Sequence, residues 1–354
     1  MSSEINMSTP TAEALAVSTS PHIRDEATVG SIMWKVVLAL SPALMGAVYF
    51  FGYRALMLAV ISMGAAIAIE TLWEWLTKRP VTAYDGSAAV TGLLVAFVLP
   101  ANASLGMIVT ANLVGLVVGK HLFGGLGNNV WNPALIGRAW VHFCWPAEMN
   151  MSKWPTLANY GAGDIGGRLT ANIASADAVT QATPLSSKAI ATVLDGGGER
   201  MYSLAELFFG FNRPGCLGET SVLLLAIGGA YLISQKLIKW YVPLIYIGTV
   251  GLMTALIPYG KAGVDGSWPA PWTMPVYQMM AGGLILGAFY MATDMVTTPL
   301  SRKGQVVFAL GCGVLTASIR LFGGYPEGVA FSILIMNSAV PLIDRYTQPR
   351  VYGT

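Results

Sequence analysis

Charge is scarce in this sequence: Asp, Glu, Lys and Arg make up 11% of its 354 residues, against 54% hydrophobic residues. A soluble domain carries roughly 25% charged residues, so the chain lacks the polar surface needed to face water all round. Its mean hydropathy of +0.59 agrees. Cysteine is also rare. Cys144, Cys216 and Cys312 lie far apart with no C-x-x-C pair, which argues against an iron–sulfur cluster or structural zinc held by this chain alone. They are expected to pack as small hydrophobes. Three histidines, His22, His121 and His142, are too few and too scattered for a bis-histidine haem ladder. A net charge of +2 with no basic run or aromatic-basic patch offers nothing to nucleic acid. The first 30 residues lack the basic flank, apolar run and cleavage site of a secretory signal. They are expected to form a flexible, retained tail.

What the chain has is apolar length. A membrane-crossing helix needs about 20 mostly apolar residues. Scanning on that basis predicts spans near 32–51, 55–76, 87–101, 105–122, 132–146, 219–236, 241–258, 275–291, 304–321 and 326–343. The expected fold is therefore an all-α integral membrane protein of about ten transmembrane helices. Forty glycines and seventeen methionines suit helices that pack closely in lipid through small residues. The fifth span is the weakest: it is short and contains Arg138 and His142, so it is expected to be tilted or shielded by protein.

Lys and Arg in short loops gather on the cytoplasmic side of a membrane. With the N-terminus inside, that side collects Arg24, Lys35, Lys78, Arg79, Lys120, Lys236, Lys239, Arg302, Lys303, Arg345 and Arg350. Short loops and span ends on the far side carry only Arg54, Lys261 and Arg320. Both termini are then cytoplasmic. Trp73, Trp75, Trp140, Trp145, Trp240 and Trp272 fall near span ends, where indoles anchor at the interface. The chain divides into a tail (1–30), a five-helix half (31–146), an outer loop (147–215), a second five-helix half (216–345) and a short tail (346–354). Five is odd, so repeated halves would have to be inverted. Leu122-Phe123-Gly124-Gly125 closes the fourth span and Leu321-Phe322-Gly323-Gly324 the ninth, on opposite sides as inversion requires. Chance recurrence in a Gly-rich chain is the competing explanation.

The outer loop contains Asp177-Ala178-Val179-Thr180-Gln181-Ala182-Thr183-Pro184. This resembles the flavinylation signature D-x-x-[S/T]-x-A-T, in which a flavin transferase joins the phosphate of FMN to the last threonine. That chemistry needs a hydroxyl on a segment another protein can reach. Thr183 supplies the hydroxyl, Ala182 is small beside it, and Pro184 discourages helix at Thr183. Asp177 and Thr180 complete the motif. The plainer reading is a Thr/Ala-rich surface loop that matches by accident.

Further segments run in a recognisable order: Asn132-Pro133-Ala134-Leu135, Gly218-Glu219-Thr220-Ser221, Met291-Ala292-Thr293-Asp294, Pro326-Glu327-Gly328 and Pro341-Leu342-Ile343-Asp344. With the Thr183 motif, they cover nearly all of residues 30–345. On them the chain resembles the NqrB/RnfD family, and its short N-terminal tail favours the Rnf branch over the sodium-pumping NADH:quinone oxidoreductases. Gln181 departs from the glycine usual before Ala-Thr. The resemblance implies a covalent FMN on Thr183 and a second, non-covalent flavin (riboflavin) among the helices. It implies an electron-transferring subunit of a complex coupling ferredoxin and NAD redox chemistry to Na⁺ or H⁺ movement. Expected partners are other membrane and peripheral subunits, including an FMN-carrying subunit and iron–sulfur subunits, with a flavin transferase for maturation and the lipid bilayer around it. No complete catalytic activity is expected from this chain alone, and no dinucleotide fingerprint follows a strand.

Ionisable residues at membrane depth are functional candidates. Glu70 and Glu74, beside Lys78 and Arg79, read as an interfacial salt-bridged cluster. Asp85 and Asp294 sit at inner helix boundaries, where they would cap helices or line an inner polar vestibule as candidates for handling the ion. Asp344 ends the tenth span; the resemblance makes it an ion candidate, and pairing with Arg345 is the plainer role. Asn128, Asn129 and Asn132 precede Pro133 in a broken segment. Broken backbone at membrane depth usually lines a cavity or is buried in protein, so this region is expected to hold the non-covalent flavin, with Asn132 and Arg138 as polar contacts. The plainer reading is a turn before a Pro-initiated helix. Glu219 and Thr220 open the sixth span, where a helix N-terminus would face the FMN, and Thr220 is a rival attachment hydroxyl. Competing readings are a quinone-reducing relative, a small-solute channel or transporter without flavin, and a structural membrane anchor.

Overall fold

The computed structural model describes residues 28–149, 154–155, 180–181, 203–210, 215–257, 273–322 and 327–348. Helices dominate. The first group is α1 (Val29–Phe51), α2 (Tyr53–Leu76), α3 (Ser87–Phe97), α4 (Leu105–Leu116, widening into a π turn at Val117–His121) and α5 (Pro133–Cys144). The second is α6 (Leu204–Phe209), α7 (Val222–Ser234), α8 (Tyr241–Leu256), α9 (Thr273–Met280), α10 (Leu284–Leu286, running into a π turn at Gly287–Met291), α11 (Arg302–Phe322) and α12 (Val329–Tyr346). A two-residue antiparallel pairing joins β1 (Trp154–Pro155) to β2 (Thr180–Gln181). Four helices among the described residues, α1, α2, α11 and α12, are long and apolar enough to cross a membrane. Shorter apolar helices fill Ser87–Phe97, Leu105–His121, Val222–Ser234 and Tyr241–Leu256.

Local chemistry sets the helix ends. Thr28 caps α1 by accepting from the backbone N–H of Ser31 at 3.2 Å. Pro42 inside α1 has no N–H to offer the Leu38 carbonyl, and the Ser41 hydroxyl donates to it instead at 2.7 Å. Asn132 caps α5, its Oδ1 accepting from Ala134 N (3.0 Å) and Leu135 N (3.4 Å), with Pro133 in the first helical position. The turn before it runs through Gly124, Gly125 and Gly127 at φ of 119°, 104° and 92°, which side chains resist.

α2 packs on α3 and α4, and α4 on α5; likewise α8 packs on α11, and α11 on α12. Polar pins sit inside each group. Asn112 donates to Ser62 Oγ at 2.9 Å between α4 and α2. The Tyr246, Thr316 and Ser332 hydroxyls lie 2.6–3.1 Å from one another between α8, α11 and α12. The groups meet where α1 packs along α7. A Cβ on Gly228 of α7 would sit 1.8 Å from the Ala39 carbonyl oxygen and 2.2 Å from the Tyr290 hydroxyl, so glycine is required there.

Three expected spans are not continuous helices. The segment 87–101 is helical only to Phe97, after which the chain unwinds and Pro100 bridges Cys216, with Leu217 N donating to the Leu99 carbonyl at 3.1 Å. The segment 219–236 enters through a 3₁₀ turn (Leu217–Glu219) and becomes helix only at Val222. The segment 275–291 is split between α9 and α10. Such breaks survive in an apolar environment only when protein satisfies their backbone. Lys120 and Arg320, assigned from sequence to opposite surfaces, are 2% and 4% exposed and serve inside the protein.

Candidate functional site

Between the two groups of helices lies a cavity of about 100 Å³, open at one side. Its apolar walls come from α1, α3, α7 and the second π turn, including Val36, Leu94, Leu232 and Phe289. Its polar groups are Ser87, Thr91, Lys120, Asn129, Asn132, Tyr290, Thr293 and Asp294. Lys120 is placed by the first π turn and Tyr290 by the second. Such wide turns are rare and concentrate at functional sites. Tyr290 donates its hydroxyl toward the carbonyls of Leu225 (2.9 Å) and Ala39 (3.2 Å), fixing the cavity's floor.

The Asn132 cap uses Oδ1, which leaves the side-chain NH₂ as the group it offers the cavity. Asn129 Nδ2 donates to the Trp131 carbonyl at 3.3 Å, while its buried Oδ1 has no hydrogen-bond partner among the described residues. Lys120 Nζ donates to Glu70 Oε1 at 2.5 Å and to Ser87 Oγ at 2.7 Å. Ser87 is in turn bound to Asp85 Oδ1 through its hydroxyl (2.6 Å) and its backbone N–H (2.8 Å). Glu70 is therefore not part of an interfacial cluster with Lys78 and Arg79. It is fully buried, and its cation is Lys120, fifty residues on. Glu74 instead accepts from the backbone N–H of Thr82 (2.9 Å) and from its hydroxyl.

A second buried network lies at the broken backbones. Arg138 on α5 pairs with Glu327 at the entry to α12 and donates to the Val98 carbonyl at 2.5 Å, where α3 has unwound. Cys216 Sγ joins the same carbonyl at 3.2 Å. Arg320 donates to the carbonyls of Gln278 (2.6 Å), Ala281 (3.1 Å) and Glu327 (3.2 Å), beside the break between α9 and α10. Buried arginines thus stitch the breaks. A Cβ on Gly283 would lie 3.0 Å from Glu327 Oε1 and 3.1 Å from Glu219 Oε1, so the two carboxylates converge on that glycine.

The residues expected from sequence separate accordingly. Asn132 lines the cavity, but Arg138 does not: six positions along α5, about 9 Å of helical rise, carry it into the second network. Asp294 lines the cavity, accepting from Val296 N (3.4 Å) and the Thr297 hydroxyl (3.2 Å). Asp85 reaches the cavity only through Ser87. Asp344 lies apart and accepts from Leu300 N at 3.0 Å. Glu219 and Thr220 are 7% and 4% exposed. The entry to α7 is roofed by α6: Ser221 Oγ donates to the Phe208 carbonyl at 3.2 Å, and a Cβ on Gly210 would meet the Thr220 carbonyl oxygen at 2.0 Å. The start of α7 is therefore not an open N-terminus, and Thr220 is closed to a modifying enzyme. Asp177, Ala182 and Thr183 lie outside the described residues, and Thr180 is described only by its backbone pairing with Pro155. Cys216 and Cys312 are buried as expected, whereas Cys144 is exposed. No group of three or more metal-ligating side chains occurs among the described residues. Lys120 escapes a reading by sequence because it counts as a loop charge; an ionisable group closing an apolar run is the signal that marks it.

The family model for NQR2, RnfD and RnfE matches residues 16–353. The chain belongs to the NQR2, RnfD, RnfE family. Among curated members, the D subunit of the proton-translocating ferredoxin:NAD⁺ oxidoreductase complex of Clostridium ljungdahlii is 44% identical over 345 residues, covering 96% of both chains. The D subunit of the Na⁺-translocating ferredoxin:NAD⁺ oxidoreductase complex of Acetobacterium woodii is 43% identical over 340 residues, covering 96% of this chain and 95% of its own. The D subunit of the ion-translocating oxidoreductase complex of Stutzerimonas stutzeri is 38% identical over 339 residues, covering 92% of each. The first two members of the NQR2, RnfD, RnfE family move different ions, so the likeness carries the complex and not the ion.

Proposed function

We propose that this chain is the D subunit of an ion-translocating ferredoxin:NAD⁺ oxidoreductase complex, working as an electron carrier in a bacterial inner membrane. The observation that carries this is identity above 40%, over nearly the whole length, to two subunits of that name. The broken segments then complete a set of about ten crossings in two inverted halves, related as α4–α5 are to α11–α12. Both termini lie inside and the Thr183 loop outside. Partner subunits complete the activity, and a flavin transferase attaches FMN to Thr183.

A second, non-covalent flavin such as riboflavin is assigned to the interhelical cavity on the chemistry of its lining: apolar walls with a few convergent polar groups, as ligand sites have. The edge of a flavin ring presents an acceptor, a donor and an acceptor in a row. The cavity offers the Lys120 N–H, the unpartnered Asn129 Oδ1 and the Asn132 NH₂, a donor–acceptor–donor set that complements it. A flavin supplies one-electron and two-electron redox chemistry. The protein's part is to orient the ring, exclude water with Val36, Leu94 and Phe289, and set the charge beside it through Lys120.

The decisive experiment is in-gel flavin fluorescence of the denatured chain, co-expressed with its transferase, with non-covalent flavin extracted from the purified complex in parallel. Fluorescence is expected from the wild type and lost in Thr183→Ala, while extractable flavin persists in both. A dark wild-type band despite a competent transferase sinks the covalent assignment.

A further inference from the structure

The cavity is wired to the protein surface. Lys120 is 2% exposed, yet its ammonium has three N–H groups and two protein acceptors, Glu70 Oε1 and Ser87 Oγ. The third has no acceptor among the described residues, and the side chain lines the cavity. From the ammonium, hydrogen bonds run without a gap: 2.7 Å to Ser87 Oγ, then 2.6 Å to Asp85 Oδ1. Asp85 closes the short 3₁₀ turn Ala83–Asp85 between α2 and α3 and is half-exposed.

A lysine whose charge served packing alone would need only its buried carboxylate. Replacing such a pair with apolar residues is often neutral or stabilising, so retaining it here calls for a further use. Its position in a π turn points the same way. The hydroxyl of Ser87 is the feature that decides it, since a hydroxyl both accepts and donates and so passes a proton.

We propose that Lys120 delivers the proton accompanying an electron onto a ring seated in this cavity, with Ser87 and Asp85 as its path to the surface at the α2–α3 turn. This rests on the flavin reading of the cavity. The electron is supplied by the ferredoxin:NAD⁺ chemistry of the complex. An N–H bond of the Lys120 ammonium breaks as an N–H bond forms on the ring. Asp85 takes a proton from water and passes it to the Ser87 oxygen as Ser87 gives its hydroxyl proton to the amine, which leaves Asp85 accepting from Ser87 as it does in the structure. The charged groups around Lys120 are Glu70 and Glu74 on α2, Asp85 on the turn, Arg79 after α2 and, across the cavity, Asp294; its titratable neighbour is His121.

The test uses the purified complex, measuring extractable flavin and the pH dependence of that flavin's midpoint potential. In the wild type the midpoint is expected to fall by about 59 mV per pH unit, one tenfold change in proton activity per electron. Lys120→Met is expected to flatten this slope and to weaken the hold on the electron at least tenfold, a drop of about 59 mV. Ser87→Ala, which leaves the Lys120–Glu70 pair intact, is expected to keep flavin content and midpoint but slow proton-coupled reduction about tenfold. A small diffusible acid such as imidazole should restore that rate. Lys120→Met with wild-type flavin, midpoint and slope overturns the proposal, as does Ser87→Ala with a wild-type rate. A wild-type complex with no extractable flavin overturns the cavity reading itself, and this proposal with it.

Discussion

Arg138 on α5 and Glu327 at the entry to α12 form a buried ion pair across 189 residues of sequence. The same guanidinium holds the Val98 carbonyl that the unwinding of α3 leaves exposed. One side chain therefore ties the two helical groups together and satisfies a broken backbone.

Removing one partner of such a pair strands a charge. Arg138→Met or Glu327→Leu alone is expected to cost about 3–5 kcal/mol, with the double variant recovering part of it. Thermal unfolding of the detergent-solubilised protein measures this. A full loss in Arg138→Met and in the double variant, with little loss in Glu327→Leu, would mean that the Val98 contact, and not the ion pair, carries the energy.

Asn132 has two duties that can be separated. Asn132→Asp keeps the oxygen that caps α5 but loses the NH₂ offered to the cavity, so helix stability should hold while extractable flavin falls at least tenfold. Asn132→Ala should lose the flavin and also about 1 kcal/mol of stability from the missing cap. Full flavin content in Asn132→Asp would remove this residue from the site.

Thr220 is a rival for covalent attachment by sequence, and its burial argues against it. Thr220→Val should leave in-gel flavin fluorescence at the wild-type level, whereas Asp177→Asn and Thr180→Ala, within the signature, should reduce it. Fluorescence lost in Thr220→Val and kept in Thr183→Ala would reverse the assignment.

Gly228 permits the closest approach between the two groups of helices. Gly228→Ala places a methyl against the Ala39 carbonyl and the Tyr290 hydroxyl, and overpacking of this kind costs about 1–3 kcal/mol. The melting temperature should fall, with little recovery from adding Tyr290→Phe, because the Ala39 carbonyl remains in the way.

The sequence by itself determined the membrane class, most helix positions and the family. These follow from quantities that add up locally: apolar run length, scarcity of charge, a proline that opens a helix, and motifs in fixed order. The broken segment at Asn132 was legible from its place beside Pro133, whereas the side chain's cap on α5 came from the structure. Partnership was not legible. Whether Glu70 meets Lys78 or Lys120, and whether Arg138 faces the cavity or Glu327, depends on which helix face turns toward which neighbour over separations of 50 and 189 residues. Hydropathy also read α3 and the segments before α7 and α10 as continuous helices, since an apolar run scores alike whether wound or unwound. Only the tertiary structure decided where those helices break, because a backbone can leave its helix away from water only where a buried arginine or another strand of chain takes up its hydrogen bonds.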